Sequence, residues 1–402
     1  MTTRDAAAEF VARVADQLAH PPPTLTRPPQ CLDRGAAGVA LFHAVRARHD
    51  AASAERAHAW LRVATVDGAD ASGRSGLLYG LPALVLVLSL IEGHYERARG
   101  TLVHHLNSVA HQRVEAAQAR MASGVLPSFG EYDLISGLAG IGVVLLRADP
   151  GGSATGRVLE YLVRLSQPVR DGDGEHPGWW VHHDPWYRTT PGWEGGHANL
   201  GMAHGAAGVL AVLSLAHRTG SRVDGHLEAI ERICRYLDIW RQDDEAGVWW
   251  PAWVRRNASG RRIRGQDAPG PPSWCYGTPG LARAQQLAAI ATGDTDRRRD
   301  AETAMAMCMG DPAQRSRMGA HGLCHGRAGL LQVLRRMAAD QQDGHGLPRL
   351  ADRVPLLTGE LLELTHQDQH SHGLLEGTIG TALALTTETA SPSWDACLAV
   401  RA

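Results

Sequence analysis

The 402-residue chain reads as all-α, an α/α toroid of about seven inner and seven outer helices with loop and hairpin insertions. Two observations predict it. One local pattern recurs along the whole chain: a glycine, two residues, a second small residue, then an apolar run of helical character. The copies are Gly35-Ala-Ala-Gly38, Gly80-Leu-Pro-Ala83, Gly137-Leu-Ala-Gly140, Gly205-Ala-Ala-Gly208, Gly277-Thr-Pro-Gly280, Gly326-Arg-Ala-Gly329 and Gly377-Thr-Ile-Gly380. Their first glycines lie 45, 57, 68, 72, 49 and 51 residues apart, a spacing that suits one helical hairpin per copy with variable insertions. Between the copies, residues 9–18, 55–66, 157–165, 227–240 and 356–364 are more polar and amphipathic. Alternating apolar and amphipathic helices are what two concentric layers require, the apolar set inside and the amphipathic set facing water. Length alone fits either two average domains or one toroid. Because the repeats run throughout, residues 1–402 are expected to form one domain.

Taken in order, residues 1–18 form an amphipathic helix carrying Asp5, Glu9 and Asp16, without the unbroken apolar core of a signal peptide. A cytoplasmic location is expected. The longest apolar stretch, residues 81–91, is too short to span a bilayer and has Pro82 near its start, as a buried helix would. A tryptophan-rich insertion, Gly178-Trp-Trp-Val-His-His-Asp-Pro-Trp-Tyr187 with Trp193 beyond it, precedes the fourth copy. It is either a rim hairpin forming a peptide-binding wall or, more commonly for such segments, a locally packed extension. Its His182, His183 and Asp184 alternate faces in an extended chain and make a poor metal site. The Asp243-Asp244-Glu245 run reads as a solvated loop.

Composition narrows the function. A formal charge of -2 offers no electrostatic reason to bind nucleic acid. Cysteines at 31, 234, 275, 308, 324 and 397 are too sparse for a disulfide framework, so reduced thiols are expected. Apart from histidines, every basic side chain is arginine.

Each leading glycine sits where an inner helix begins, permitting a tight turn and close backbone approach. If all the inner helices begin at one end of the toroid, the residues just before each glycine pair converge on one rim. The helix N-termini would aim partial positive charge there, favouring thiolates or an enolate. Cys275 and Cys324 occupy equivalent positions in adjacent copies, and His325 follows the second. Two thiolates and an imidazole suit Zn²⁺ and leave a fourth tetrahedral position for water or a substrate sulfur. The alternative is two buried free cysteines and a core histidine, since the separation fits no local zinc motif. His204, directly before Gly205, takes the position equivalent to His325. Asp133 lies four residues before Gly137. Beside a metal, His204 suits acid–base work with Asp133 orienting its ring; otherwise they are a core histidine and a helix cap.

Tyr132-Asp133-Leu-Ile-Ser-Gly-Leu-Ala-Gly-Ile-Gly, Ala203-His204-Gly, Ser273-Trp274-Cys275-Tyr276-Gly277-Thr-Pro-Gly, Leu323-Cys324-His325-Gly326 and Leu375-Glu376-Gly377 resemble, in order, the signature segments of the lanthionine synthetase C-like cyclases. The resemblance covers essentially the whole chain. It implies one zinc ion per chain, held by Cys275, Cys324 and His325, with catalytic roles for Asp133 and His204 and a rim contribution from Tyr276. It implies further that thioether rings form by addition of cysteine thiolates to dehydroalanine or dehydrobutyrine in a precursor peptide. No dehydratase domain fits this length, so a separate dehydratase is an implied partner, and peripheral membrane or transporter association stays open. One departure stands out: cyclases resembling this chain often carry an arginine where it has Pro271, and the nearest upstream arginine is Arg264. Competing readings are addition of glutathione or another thiol to dehydroamino acids, and a non-catalytic zinc-stabilised scaffold. An α/α-toroid glycosidase would need paired carboxylates, and the rim positions offer only Asp33, Asp133 and Glu376.

Overall fold

Every one of the seven repeats starts a helix at the residue after its leading glycine. The computed structural model describes residues 2–23, 27–171, 174–257, 259–342, 348–366, 371–386 and 394–401. The inner helices are α2 (Ala36–Arg46), α4 (Leu81–Ser89), α6 (Leu138–Ala148), α8 (Ala206–Arg218), α10 (Thr278–Thr292), α12 (Arg327–Ala339) and α14 (Thr378–Thr386). Alternating with them are the outer helices α1 (Thr3–Gln17), α3 (Ala51–Ala64), α5 (Glu96–Ala122), α7 (Ser153–Leu165), α9 (His226–Trp240), α11 (Thr295–Gly310) and α13 (Val354–Leu364). Patterning explains the assignment. In α4 every residue from Leu81 to Leu88 is buried, with Pro82 in the first turn where its missing N–H costs nothing. In α9 only Ala229, Ile230, Ile233, Cys234, Leu237 and the leading His226 are buried, one stripe of an otherwise polar helix.

Inner helices pack in chain order, and α14 returns to α2 to close the ring. Outer helices α3, α5, α7, α9, α11 and α13 each cover the inner helix just before them. The seventh pair departs from one hairpin per repeat: α1, at the start of the chain, covers α14, near its end. Closure thus joins the two ends of the sequence. Among the described residues no helix is long and apolar enough to cross a membrane.

The second glycine of the repeat has a specific reason. A Cβ at Gly280 would lie 2.0 Å from the Trp274 carbonyl oxygen, and one at Gly329 would lie 1.9 Å from that of Leu323. In the six repeats that keep this glycine, the segment leading into the helix therefore crosses directly over the first turn, whereas the second repeat has Ala83 there. Gly280→Ala should lose about 2 kcal/mol of stability in chemical denaturation. That figure sets an overpacking cost of about 3 kcal/mol against the roughly 1 kcal/mol alanine gains as a helix former.

These lead-in segments are also stitched to one another. Leu374 N–H donates to Asp33 O (2.7 Å), Leu323 N–H to Leu375 O (2.6 Å), Cys275 N–H to Cys324 O (3.2 Å), Met202 N–H to Cys275 O (2.8 Å) and Leu134 N–H to Ala203 O (3.2 Å). Residues scattered over most of the sequence thus share one rim.

Insertions before the fourth and fifth repeats build a sheet ordered β3-β4-β7-β8, antiparallel throughout, from β3 (Trp180–Val181), β4 (His197–Asn199), β7 (Trp253–Arg256) and β8 (Arg262–Arg264). Hairpins β1 (Pro168–Asp171)/β2 (Gly174–Pro177) and β5 (Gln242–Asp244)/β6 (Gly247–Trp249) flank it. The acidic run expected as a solvated loop is in part strand: Asp244 ends β5, and its carboxylate accepts from Trp249 Nε1 (2.9 Å) and Ala246 N–H (2.9 Å) to hold the hairpin turn.

The lumen is filled by the last described segment. Trp394 to Val400 are all buried. Leu398 O accepts from Trp274 Nε1 at 2.8 Å, Val400 O accepts from Arg283, and Asp395 pairs with Arg336 and Gln332. Contacts to α10 and α12, and packing on α6, place this segment inside the ring.

Candidate metal centre and acid–base pair

The ligand atoms of Cys275, Cys324 and His325 lie within 4.8 Å of one another, the one such group of three among the described residues. The rim stitching puts them there, since Cys275 N–H bonds to the carbonyl of Cys324 itself. Cys275 is buried and Cys324 half-buried, while the His325 side chain is 53% exposed, so one side of the group faces solvent.

Protons are shared unevenly across it. A hydrogen bond from Cys324 pulls the Cys275 thiol below its ordinary range against the cost of burial, helped by His325 and Ser273. The same partnership, with burial, pushes the Cys324 thiol well up, and its bond to Cys275 raises His325. Two sulfurs and an imidazole, one sulfur already thiolate-like, form a donor set for a borderline-soft divalent ion. Cys234 and Cys308 contrast with it: burial pushes each up to about 12. The His325 ring is backed by Glu376, with Nδ1 3.8 Å from Oε1, and Arg34 Nη2 holds the other carboxylate oxygen at 3.0 Å.

On the neighbouring repeat, Asp133 Oδ2 lies 2.5 Å from His204 Nδ1, with Asp133 fully buried and the His204 side chain 23% exposed. The other oxygen, Oδ1, accepts from Ser136 N–H (2.7 Å) and Gly137 N–H (2.8 Å) at the start of α6. One carboxylate therefore both caps a helix and orients an imidazole. With Nδ1 committed to Asp133, Nε2 is the nitrogen left for chemistry. The Phe129 ring stacks on His204 with centroids 5.4 Å apart, and Tyr132 OH donates to the His204 carbonyl at 3.1 Å. Arg113 braces the Asp133 loop by donating to the carbonyls of Ser75, Gly130 and Ser136.

Tyr276 packs 6.2 Å from the His204 ring, and burial holds its phenol far above the ordinary range, so it stays protonated. Phe129 and Tyr187, whose rings pack against His204, are site residues that sequence reasoning did not single out. Tyr187 lay within the aromatic insertion; Phe129 carried no signal beyond standing four residues before Asp133. That insertion divides in two: Trp179 and Trp180 are buried, whereas Trp186 and Tyr187 are 64% and 50% exposed. Asp184 accepts from Trp186 N–H, Arg188 N–H and the Thr190 hydroxyl, so it is a turn cap. Arg264 is engaged with Asp267 and Gln242, while Arg317 donates to the Pro269 carbonyl (2.7 Å), two residues from Pro271. Of the rim carboxylates, Asp33 and Glu376 are bridged by Arg34, whose guanidinium bonds both, and Asp133 holds His204.

A family model described as "Lanthionine synthetase C-like protein" matches residues 29–399. Nisin biosynthesis protein NisC of Lactococcus lactis subsp. lactis is 23% identical over 198 residues, 48% of this chain and 45% of that protein. The chain thus spans somewhat under half the length of this curated relative in the match. The solved structure of nisin cyclase superposes with a TM-score of 0.76 at 18% identity, over 98% of this chain and 96% of that one, and shows the same toroidal fold.

Proposed function

The chain belongs to the lanthionine synthetase C-like family, and from that premise we propose that it is a zinc-dependent cyclase closing thioether rings in a dehydrated peptide. The observation that carries the reading is the juxtaposition on one rim of the Cys275–Cys324–His325 group with the His204–Asp133 pair. Cys275, Cys324 and His325 would hold the ion, and the exposed side of His325 leaves room for a substrate sulfur. Zinc there would supply a Lewis acid that keeps the substrate thiol ionised at neutral pH.

The remaining chemistry falls to the side chains. A substrate thiolate adds to the β-carbon of dehydroalanine or dehydrobutyrine, forming the C–S bond and driving the π electrons into an amide enolate. His204, protonated on Nε2, delivers the proton that quenches the enolate at the α-carbon, and regains it from the next substrate thiol. Asp133 holds Nδ1–H and stabilises the imidazolium between these events. Tyr276 and Phe129 fix the ring from its faces. The seven repeats act as one domain, and a separate dehydratase supplies the substrate.

The test is incubation of zinc-loaded protein with a peptide carrying one cysteine and one dehydroalanine. Joint loss of the alkylatable thiol and the alkene at unchanged mass is the expected result. A glutathione adduct formed in preference to the ring would favour intermolecular thiol addition, and no reaction by a zinc-loaded protein on any such peptide would leave only a scaffold.

A further inference from the structure

The cyclase reading requires that a flexible peptide be held while its rings close, and a feature of the rim sheet outside the metal centre addresses this. β8 is an edge strand. In the register Val254↔Arg264, Arg255↔Ile263, Arg256↔Arg262, with Gly265 N–H donating to Trp253 O and Asn257 N–H to Arg261 O, the bonded pair inside the strand is Arg255–Ile263. The N–H and C=O groups of Arg262 and Arg264 therefore point away from β7, and among the described residues no backbone partner meets them. Both side chains are exposed.

The strand is also strongly basic. Between Trp253 and Asp267 lie Arg255, Arg256, Arg261, Arg262 and Arg264 against the single acid Asp267, a net charge of +4 in a chain whose total is -2. Among the described residues no carboxylate makes an ion pair with Arg255, Arg261 or Arg262; Arg262 donates to the Glu175 carbonyl and lies over the Trp180 ring, and Arg264 bonds Gln242 and pairs with the 94% exposed Asp267. An unpaired edge usually carries charge to repel other strands. Here the charge is of one sign, so it selects a partner of the other sign.

The strand behind this edge reaches the proposed active site. Trp253 in β7 packs 6.2 Å from Tyr276, the residue after Cys275, and 6.5 Å from the exposed Trp186. We infer that β8 is a docking strand for an acidic, extended segment of the substrate peptide, which adds to the sheet edge by main-chain hydrogen bonds and sets acidic side chains at every second position against Arg262 and Arg264. Strand addition supplies sequence-tolerant affinity, and the two-residue period supplies specificity. Held this way, the rest of the peptide meets the metal centre at high effective concentration for successive ring closures. The inference rests on the proposed peptide-cyclase function.

The experiment is fluorescence anisotropy with a fluorescein-labelled hexapeptide of alternating threonine and glutamate, read without turnover. Wild type should bind it, and R262E/R264E should bind at least about tenfold more weakly with an unchanged thermal melt. A block peptide of the same composition, with its glutamates together and its threonines together, should bind more weakly than the alternating one. So should an alternating threonine–lysine hexapeptide. Arg264→Pro, which deletes an outward N–H while sparing the Arg255–Ile263 pair, should weaken binding beyond Arg264→Gln. Cys275→Ala should bind as wild type does, which separates this site from the metal centre. Equal binding by wild type and R262E/R264E, equal binding of the lysine peptide, or displacement by a single-stranded oligonucleotide at lower concentration than by unlabelled peptide would each overturn it.

Discussion

Cys275→Ala and Cys324→Ala should each leave a folded toroid with little zinc and no measurable ring formation. Structural zinc sites bind with about 10–16 kcal/mol, so one of three protein ligands accounts for on the order of 4 kcal/mol, or roughly a thousandfold in affinity. Elemental analysis after dialysis against a weak chelator should find close to stoichiometric zinc in wild type and only traces in the variants. The protons add a sign that can be checked. The Cys324 thiol is pushed well up and His325 is raised, so protons compete with the ion for these ligands. Apparent zinc affinity should therefore rise with pH through the neutral range, and a flat profile would contradict the assigned ligand set. Because the scaffold is closed by helix packing and by the Trp394–Val400 segment in the lumen, metal loss should leave the helical signal intact.

How far the sequence anticipates the site follows from what the repeats encode. The GxxG pairs mark where each inner helix begins, and counting back one or two residues from them reaches Cys275, Cys324, His325 and His204 without any contact information. That works because the lead-in segments are bonded side by side, which turns equal sequence position into spatial adjacency. Phe129 and Tyr187 stand outside this register. Their rings reach His204 from a short helix and from a turn inside an insertion, so no period points to them. The closing partnership of α1 with α14 and the burial of residues 394–400 in the lumen were equally hidden, since each joins segments distant in sequence through packing alone. The acidic run at 243–245 is exposed, as a solvated segment should be, but it is not simply a loop: Asp243 and Asp244 lie in β5, and Asp244 also accepts from Trp249 to hold the hairpin.

Asp133→Asn should lower ring formation by roughly 10²- to 10⁴-fold, the range that positioned acid–base groups contribute, with zinc content unchanged. The two oxygens of Asp133 do different work, and asparagine preserves only one kind. Its carbonyl oxygen can still accept from Ser136 and Gly137 N–H, so the start of α6 stays capped and the fold survives. Its NH₂ then faces His204 Nδ1, which can only accept; the neutral imidazole is driven to the tautomer with Nε2–H and the imidazolium loses its counter-charge. A donor that cannot be recharged stably fails at enolate protonation and leaves thiolate binding alone. His204→Ala should produce a loss of similar size, and the double variant should be little worse than either single one, because the pair acts as a unit. If Asp133→Asn kept near-wild-type rates while Asp133→Ala unfolded the protein, the carboxylate would be a helix cap only. The proton donor would then have to be sought elsewhere on the rim, with Tyr276, whose phenol stays protonated, the next residue to replace.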